Sequence, residues 1–335
     1  MTAYFKRKMH PAWYQGKRNA RQHFEGWYFK IVSREGRHLL AIIPGIFIDY
    51  QTDESHAFIQ IFDGQSNRTH YFSYPLNKFH AHDDAFDIQI GNNFFSDKKI
   101  ILDISEDGQR FDGELRFDNT ISWPRTRLSP GIMGWYTWVP FMECYHGIVS
   151  LDHEIHGRLF MNGDEADFNS GRGYTEKDWG RSFPEAWIWC QSNHFDESGT
   201  SLTGSIAIIP WIRKPFLGFI FGLWHQHHLY RFTTYTGSGL THFEIGERHV
   251  HWVLENKTHI LEIRALRSGG GTLVAPTLNG MTHEISESLR STISLRLFSR
   301  NDMAKPVFES TGRFAGFEIA GDIARLNEMY HALVH

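Results

Sequence analysis

Along the first half of the chain, apolar and polar positions alternate in short runs instead of recurring every three or four residues. Runs at 24–33, 38–50, 56–63, 86–91, 99–105 and 110–118 combine β-branched and aromatic residues between turn signals, the pattern of strands. Phe58, Gln60 and Phe62 set against Ile59, Ile61 and Asp63 show the period of two. Glu35-Gly36, Asp63-Gly64, Asp107-Gly108 and Asp112-Gly113 supply residues that tolerate positive φ, so tight hairpins and antiparallel pairing are predicted. Segment 122–140 mixes Pro124, Pro130, Gly131, Gly134 and Pro140 with Trp123, Trp135, Tyr136 and Trp138 and reads as an ordered loop. Strand patterning resumes over 143–161, and Asn162-Gly163-Asp164 supplies a turn that closes the first half.

The second half repeats the character of the first, with strands predicted at 187–195, 201–209, 218–227, 229–236, 249–254, 259–265 and 292–298. One helix is predicted at the end: Asp322 is its N-cap, and Ile323, Leu326, Tyr330 and Leu333 fall on one face. No repeat of 20 to 50 residues is visible. The expectation is an all-β protein of two antiparallel barrel or sandwich domains, 1–165 and 166–335, with a short C-terminal helix on the second.

Composition sharpens this picture. A length of 335 residues suits two domains, and 27 Phe, 11 Trp and 12 Tyr exceed what packed helices need, which favours strands and pocket walls. A formal charge of -4 gives no electrostatic footprint for nucleic acid. Lys6, Arg7 and Lys8 are followed by His10, Pro11 and Gly16, not by an apolar core, so no signal peptide is readable. Cys144 and Cys190 alone point to a reducing, cytoplasmic setting. Region 205–224 is broken by Pro210, Arg213, Lys214 and Pro215 into pieces shorter than the ~20 residues of a membrane helix. The apolar run 215–219 beside Arg213 and Lys214 is where a transient, peripheral membrane contact would form.

Two segments are denser in chemistry than packing requires. In Phe24-Glu25-Gly26-Trp27-Tyr28-Phe29-Lys30, a carboxylate sits among aromatics, where desolvation would raise its pKa and suit it to proton donation. The competing reading is a turn cap or an ion-pair partner. In Tyr174-Thr175-Glu176-Lys177-Asp178-Trp179-Gly180, acids, a lysine and a phenol share one turn-and-strand unit. Beyond it, Trp187, Trp189, Gln191 and Asn193 fall on one face of a strand and can line a pocket. Here the competing reading is a buried Glu-Lys-Asp cluster that clamps two domains.

Among 21 histidines, His225, His227 and His228 are close in sequence, as are His153 with His156 and His80 with His82, yet none matches a metal-ligand spacing. No metal is expected. Gly269-Gly270-Gly271 lacks the Lys-Ser/Thr of a phosphate loop, and Ser182 lacks a nucleophile elbow, so no nucleotide or other cofactor is expected either.

At these two segments the chain resembles the tocopherol cyclase family. Phe24 to Phe29 is similar to its F-E-G-W-Y-F motif. Tyr174 to Asn193 is similar to its Y-x-E-K-x-W-G-x-x-F-P-x-x-W-x-W-x-Q-x-N block, and Leu273-Val274-Ala275-Pro276-Thr277 gives a third echo. The resemblance implies two lipocalin-like β domains, distantly related to carotenoid hydratases. It also implies cofactor-free chemistry on a prenylated quinol or related isoprenoid, in which an acid protonates a prenyl double bond and the phenol oxygen captures the cation. It makes Asp178 or Glu25 the proton donor, with Glu176, Lys177 and Tyr174 as tuning groups. Trp27, Tyr28, Trp179, Trp187 and Trp189 become pocket walls, and Gln191 and Asn193 orient the phenol. Plant members carry Asn where this chain has Asp178. Two other readings share the fold: hydration of the double bond, and a non-catalytic carrier that binds a lipid, quinone or isoprenoid.

Overall fold

A computed structural model describes residues 3–16, 22–52, 54–278 and 280–334. The chain is all-β, with two antiparallel sheets and a helix at its C-terminal end. The first sheet uses β1 (Gln22–Val32), β2 (Leu39–Asp49), β3 (His56–Asp63), β4 (Arg68–Tyr74), β5 (Phe79–Ala81), β6 (Asp87–Ile90), β7 (Asn93–Ser96), β8 (Lys99–Glu106), β9 (Gln109–Ile121), β10 (Cys144–Met161), β11 (Asp164–Asp167) and β12 (Gly171–Gly180). Their order is β4-β3-β2-β1-β12-β10-β9-β8-β7-β6-β5, with β11 on β10, in a nearly closed barrel. The second uses β13 (Ala186–Ser192), β14 (Ser201–Ile209), β15 (Phe216–His225), β16 (His228–Thr233), β17 (Gly239–Ile245), β18 (His249–Glu255), β19 (His259–Leu266), β20 (Gly271–Thr277), β21 (Gly280–Ser299) and β22 (Phe308–Gly321). Their order is β16-β15-β14-β13-β22-β21-β19-β18-β17, with β20 on β21.

The chain divides into two compact units. The first comprises Met1–Phe183 with Thr272–Glu284, and the second Pro184–Gly271 with Ile285–His335. The turn at Asn162-Gly163 joins the paired strands β10 and β11 inside the first unit. Segment 272–284 is bound to the rest of that unit by backbone recognition. The amide of Gln60 donates to the carbonyl of Val274 at 2.8 Å and accepts from its N–H at 2.9 Å. Phe183 N–H also donates to the carbonyl of Pro276 at 3.2 Å. The Leu273 to Thr277 motif therefore works as a strap held through its main chain.

Each unit has its own core. In the first, Trp27, Phe29 and Ile31 of β1 pack with Phe86, Phe95 and Phe117. In the second, Ile188 and Cys190 of β13 pack with Phe221, Trp252 and Phe317. Burial of each such aromatic stabilises the fold by about 1.5–3 kcal/mol relative to exposure. The terminal helix α1 (Ile323–Val334) starts as the sequence predicts: the Asp322 carboxylate accepts from Arg325 N–H at 3.0 Å. Leu326 and Tyr330 are buried, but Leu333, expected on the same face, is exposed because it lies in the last turn, beyond the core that the helix covers. An additional short helix, Ala3–Lys8, has no counterpart in the sequence reading. No helix among the described residues is long and apolar enough to cross a membrane.

The bulged strand β10 carries a tightly enclosed histidine. His153 is buried, with Nδ1 at 2.9 Å from Ser150 Oγ and its ring 4.4 Å from that of Phe117. Gly173 lies opposite it in register, and a Cβ there would stand 2.2 Å from His153 Nε2. Burial, helped by Arg172, lowers the His153 pKa to about 3. The folded state therefore rejects a proton that the unfolded chain accepts near 6.5. This stability is complete above the unfolded value and is lost as pH falls toward 3, with a slope of up to about 1.4 kcal/mol per pH unit. Urea midpoints between pH 7 and 4 should fall less steeply for His153→Gln than for the parent, by about one proton's worth of slope. Gly173→Ala should destabilise the unit by about 1–3 kcal/mol at neutral pH through overpacking.

Candidate functional site

The register of β12 between β1 and β10 decides where each motif residue points. Trp27 stands opposite Lys177 and Glu25 opposite Trp179, whereas Gly26 stands opposite Asp178, Tyr28 opposite Glu176 and Lys30 opposite Tyr174. On the other side, His146 pairs with Asp178, Gly147 with Lys177 and Ile148 with Glu176. Because side chains alternate along a strand, the contiguous run Glu176-Lys177-Asp178 cannot act as one cluster. Lys177 joins Glu25, Trp27 and Trp179 on the core side. Tyr174, Glu176 and Asp178 share the other side with His146 and Tyr28.

On the core side, Lys177 Nζ lies 2.5 Å from Glu25 Oε2, and both side chains are fully buried. The carboxylate also accepts from Gln15 N–H at 3.0 Å and Gly16 N–H at 2.9 Å, and lies 2.8 Å from His23 Nε2. Lys177 in turn donates to the Trp13 carbonyl at 2.6 Å, and its ammonium sits 4.4 Å from the Trp27 ring and 5.0 Å from that of Trp179. Trp27 Nε1 donates to the Ala12 carbonyl at 2.7 Å, so residues 12–16 seal the pair from above. Burial alone would raise the Glu25 pKa, as the sequence reading supposes. Lys177 and His23 outweigh that effect and hold it at about 2. Glu25 is thus a fixed anion with saturated oxygens and has no proton to give. The π faces of Trp27 and Trp179 already carry the lysine cation, and Trp179 stacks on Tyr145 at 5.4 Å.

On the other side, the groups form a chain of proton-sharing contacts. His146 Nδ1 lies 2.9 Å from Asp178 Oδ1, and its Nε2 lies 3.6 Å from Glu176 Oε2. That same carboxylate oxygen accepts from the Tyr174 hydroxyl. Glu176 and Tyr174 are buried, whereas the His146 and Asp178 side chains retain 15% and 22% exposure, so the chain runs from a wet end to a dry one. Cys144 approaches Asp178 at 3.8 Å, and burial together with that carboxylate pushes its thiol well up, which keeps it protonated and non-nucleophilic. One ligand atom from each of His146, Glu176 and Asp178 lies within 4.8 Å of the others, so this trio could also hold a cation. His146 was not among the histidines singled out by spacing. Its only signal is the pairing of β10 with β12, thirty residues away in the chain, which no local pattern displays.

The remaining expected residues belong to the second unit. Ala186, Ile188 and Cys190 enter its core, which leaves Trp187, Trp189 and Gln191 on the opposite side of β13. Trp187 Nε1 donates to Glu318 at 2.8 Å, and Asn193, just past the strand, lies 3.0 Å from His194 Nδ1. Gln191 is fully buried, and among the described residues neither its amide oxygen nor its nitrogen has a hydrogen-bond partner, an arrangement that costs about 1–3 kcal/mol. Close to the first-unit site, His10, Trp13, Phe86, Trp123, Ile148 and Val149 help to line a cavity of about 130 Å³.

This sequence and this fold have counterparts. The chain is 24% identical to the chloroplastic tocopherol cyclase of Zea mays, over 90% of its own length and 75% of the maize protein. It is 25% identical to a chloroplastic protein of Oryza sativa subsp. japonica named probable tocopherol cyclase, over 90% of its length and 76% of that protein. Among solved structures it is similar to kievitone hydratase from Nectria haematococca, with a TM-score of 0.50 at 11% identity over 89% of each chain, a likeness of fold. The profile described as tocopherol cyclase-like matches residues 101–321, well over half of the sequence and including the whole of β10, β12 and β13. The chain belongs to the tocopherol cyclase-like family.

Proposed function

We propose that this protein is a cyclase, or a closely related hydratase, that protonates an alkene of a prenylated quinol or similar isoprenoid through the Asp178–His146–Glu176–Tyr174 chain. One observation carries the reading: a histidine is bracketed by two carboxylates, one of them also bonded to a phenol, at the wet end of an otherwise buried strand surface. A proton placed anywhere in this chain is shared, because the imidazolium is stabilised by an anion on each side and its loss is answered by a neighbour. Asp178, the most exposed member, is the end a ligand can reach.

The chemistry balances without an oxidant or reductant. The π electrons of the prenyl double bond nearest the ring take the proton from Asp178 and form a C–H bond, leaving a tertiary cation. The neighbouring phenol oxygen attacks that cation to form the ring C–O bond, and the phenol proton returns to Asp178 and His146. The product is an isomer of the substrate. If water attacks in place of the phenol, the product is a hydrate and the acid is restored in the same way. Glu25 and Lys177 take no part in the proton transfer; they hold β1 and β12 in the register on which the proton-sharing chain depends.

Incubation of the purified protein with a reduced prenyl-benzoquinol in heavy water tests the proposal. A protein-dependent product with one carbon-bound deuterium is expected. Quinol recovered unchanged but tightly bound would instead favour the carrier. His146→Gln and Asp178→Asn should each lower turnover by at least about 100-fold, the scale of general acid catalysis, with melting temperatures near the parent's. Full turnover in Asp178→Asn would remove that residue as donor.

Glu25→Gln and Lys177→Met should each cost about 3–5 kcal/mol in urea denaturation, since each strands a buried charge, while the double replacement should cost less than either. The folded-state depression of Glu25 implies stability that is complete above pH 4.5 and lost as pH falls through about 2. The double variant should lack that acid limb.

A further inference from the structure

Outside the site described, a second group of ligand-type side chains stands on the β17–β18 hairpin at the edge of the second sheet. We propose that His242, Glu244 and His251 bind one zinc ion on the outer face of this hairpin. Glu244 and His251 are directly opposed in register, His242 lies two residues before Glu244, and one ligand atom from each of the three lies within 4.8 Å of the others. Phe243, Val250 and Trp252 between them are buried in the core, which fixes the other three side chains on the outer face.

Three observations point to an ion and not to an ordinary polar surface. His242 Nε2 is itself inaccessible and has no hydrogen-bond partner among the described residues, with Glu244 at 3.6 Å. In the tautomer protonated at Nδ1, that nitrogen offers its lone pair to a cation. The rings of His242 and His251 approach to 4.7 Å between centroids, a distance that repels two imidazoliums and suits two neutral ligands of one cation. His251 is also held from behind. Its Nε2 lies 3.1 Å from Glu262, and Glu262 is clamped by Arg296 at 3.0 and 2.5 Å. That arrangement is the carboxylate–histidine support of metal sites: with Nε2–H donated to Glu262, the lone pair is left on Nδ1.

Two imidazoles, borderline nitrogen ligands, beside one carboxylate favour zinc over calcium or magnesium. His249 stands beside the set, with Nε2 3.6 Å from the second Glu244 oxygen, and offers a fourth ligand. Gly246 makes room for it, since a Cβ there would meet the His249 ring at 2.4 Å. A zinc ion here would join β17 to β18 across the sheet edge and pin an edge strand that has one hydrogen-bonded neighbour.

The test is calorimetric titration of zinc into the full, chelator-stripped chain at pH 7.5, with calcium and magnesium as controls. The wild type and a His146→Ala variant should both show the hairpin site, and zinc should raise the melting temperature. The double variant His242→Ala, His251→Ala should lose one zinc per chain and the thermal shift, with an unchanged melting temperature when metal-free. Glu262→Gln should bind roughly tenfold more weakly, an effect that a loose pair of surface histidines would not show. Zinc stoichiometry and affinity undiminished in the double variant, or a wild type that binds no zinc in this range, would overturn the proposal.

Discussion

Two opposite charges, the Glu25 carboxylate and the Lys177 ammonium, meet in the dry interior of the first unit, and the geometry of the site depends on that meeting. Neither ion is tolerable there alone. Together, with His23, two backbone N–H groups and the Trp13 carbonyl, they fill each other's hydrogen-bonding capacity. The pair joins β1 to β12 across adjacent positions of the ladder and calls residues 12–16 over the end of the core. A slip of one residue in either strand would carry one of the charges to the other face, so the pair enforces the register as well as the contact.

With the register fixed, the opposite face is determined. Tyr174, Glu176 and Asp178 must share one side, and the pairing of β10 brings His146 between the two carboxylates. Structural and chemical roles therefore alternate residue by residue along β12: the odd positions build the interior, and the even ones build the proton-sharing chain. Such a strand is hard to alter, because a side chain chosen for chemistry has neighbours chosen for packing on both sides.

The second unit uses the same principle differently. Its core residues alternate with Trp187, Trp189 and Gln191 on β13, and with His242, Glu244, His249 and His251 on β17 and β18. In both places one face is settled by apolar burial, which leaves polar residue types on the other face at short, repeatable separations. Gln191 and His242 each keep buried polar atoms without a partner among the described residues, which marks both as places where the folded chain alone does not complete its hydrogen bonding.

Much of the fold was legible in the sequence, because strand formation is written locally. The alternation at 56–63 and 99–105, the Asp-Gly turns and the Asp322 cap each depend on residues a few positions apart. The strands Arg68–Tyr74 and Phe308–Gly321 were not, since charged and polar residues interrupt their pattern. Sequence by itself determined the β class, the terminal helix and the two motifs that carry the family resemblance. Only the tertiary structure divided Glu176-Lys177-Asp178 between two faces, turned Glu25 from an acid with a raised pKa into an anion held at about 2, and brought in His146. The physical reason is the same for all three. A side chain's partner across a sheet is set by strand pairing over tens or hundreds of residues, and a carboxyl's proton affinity follows that partner, not its neighbours in the chain.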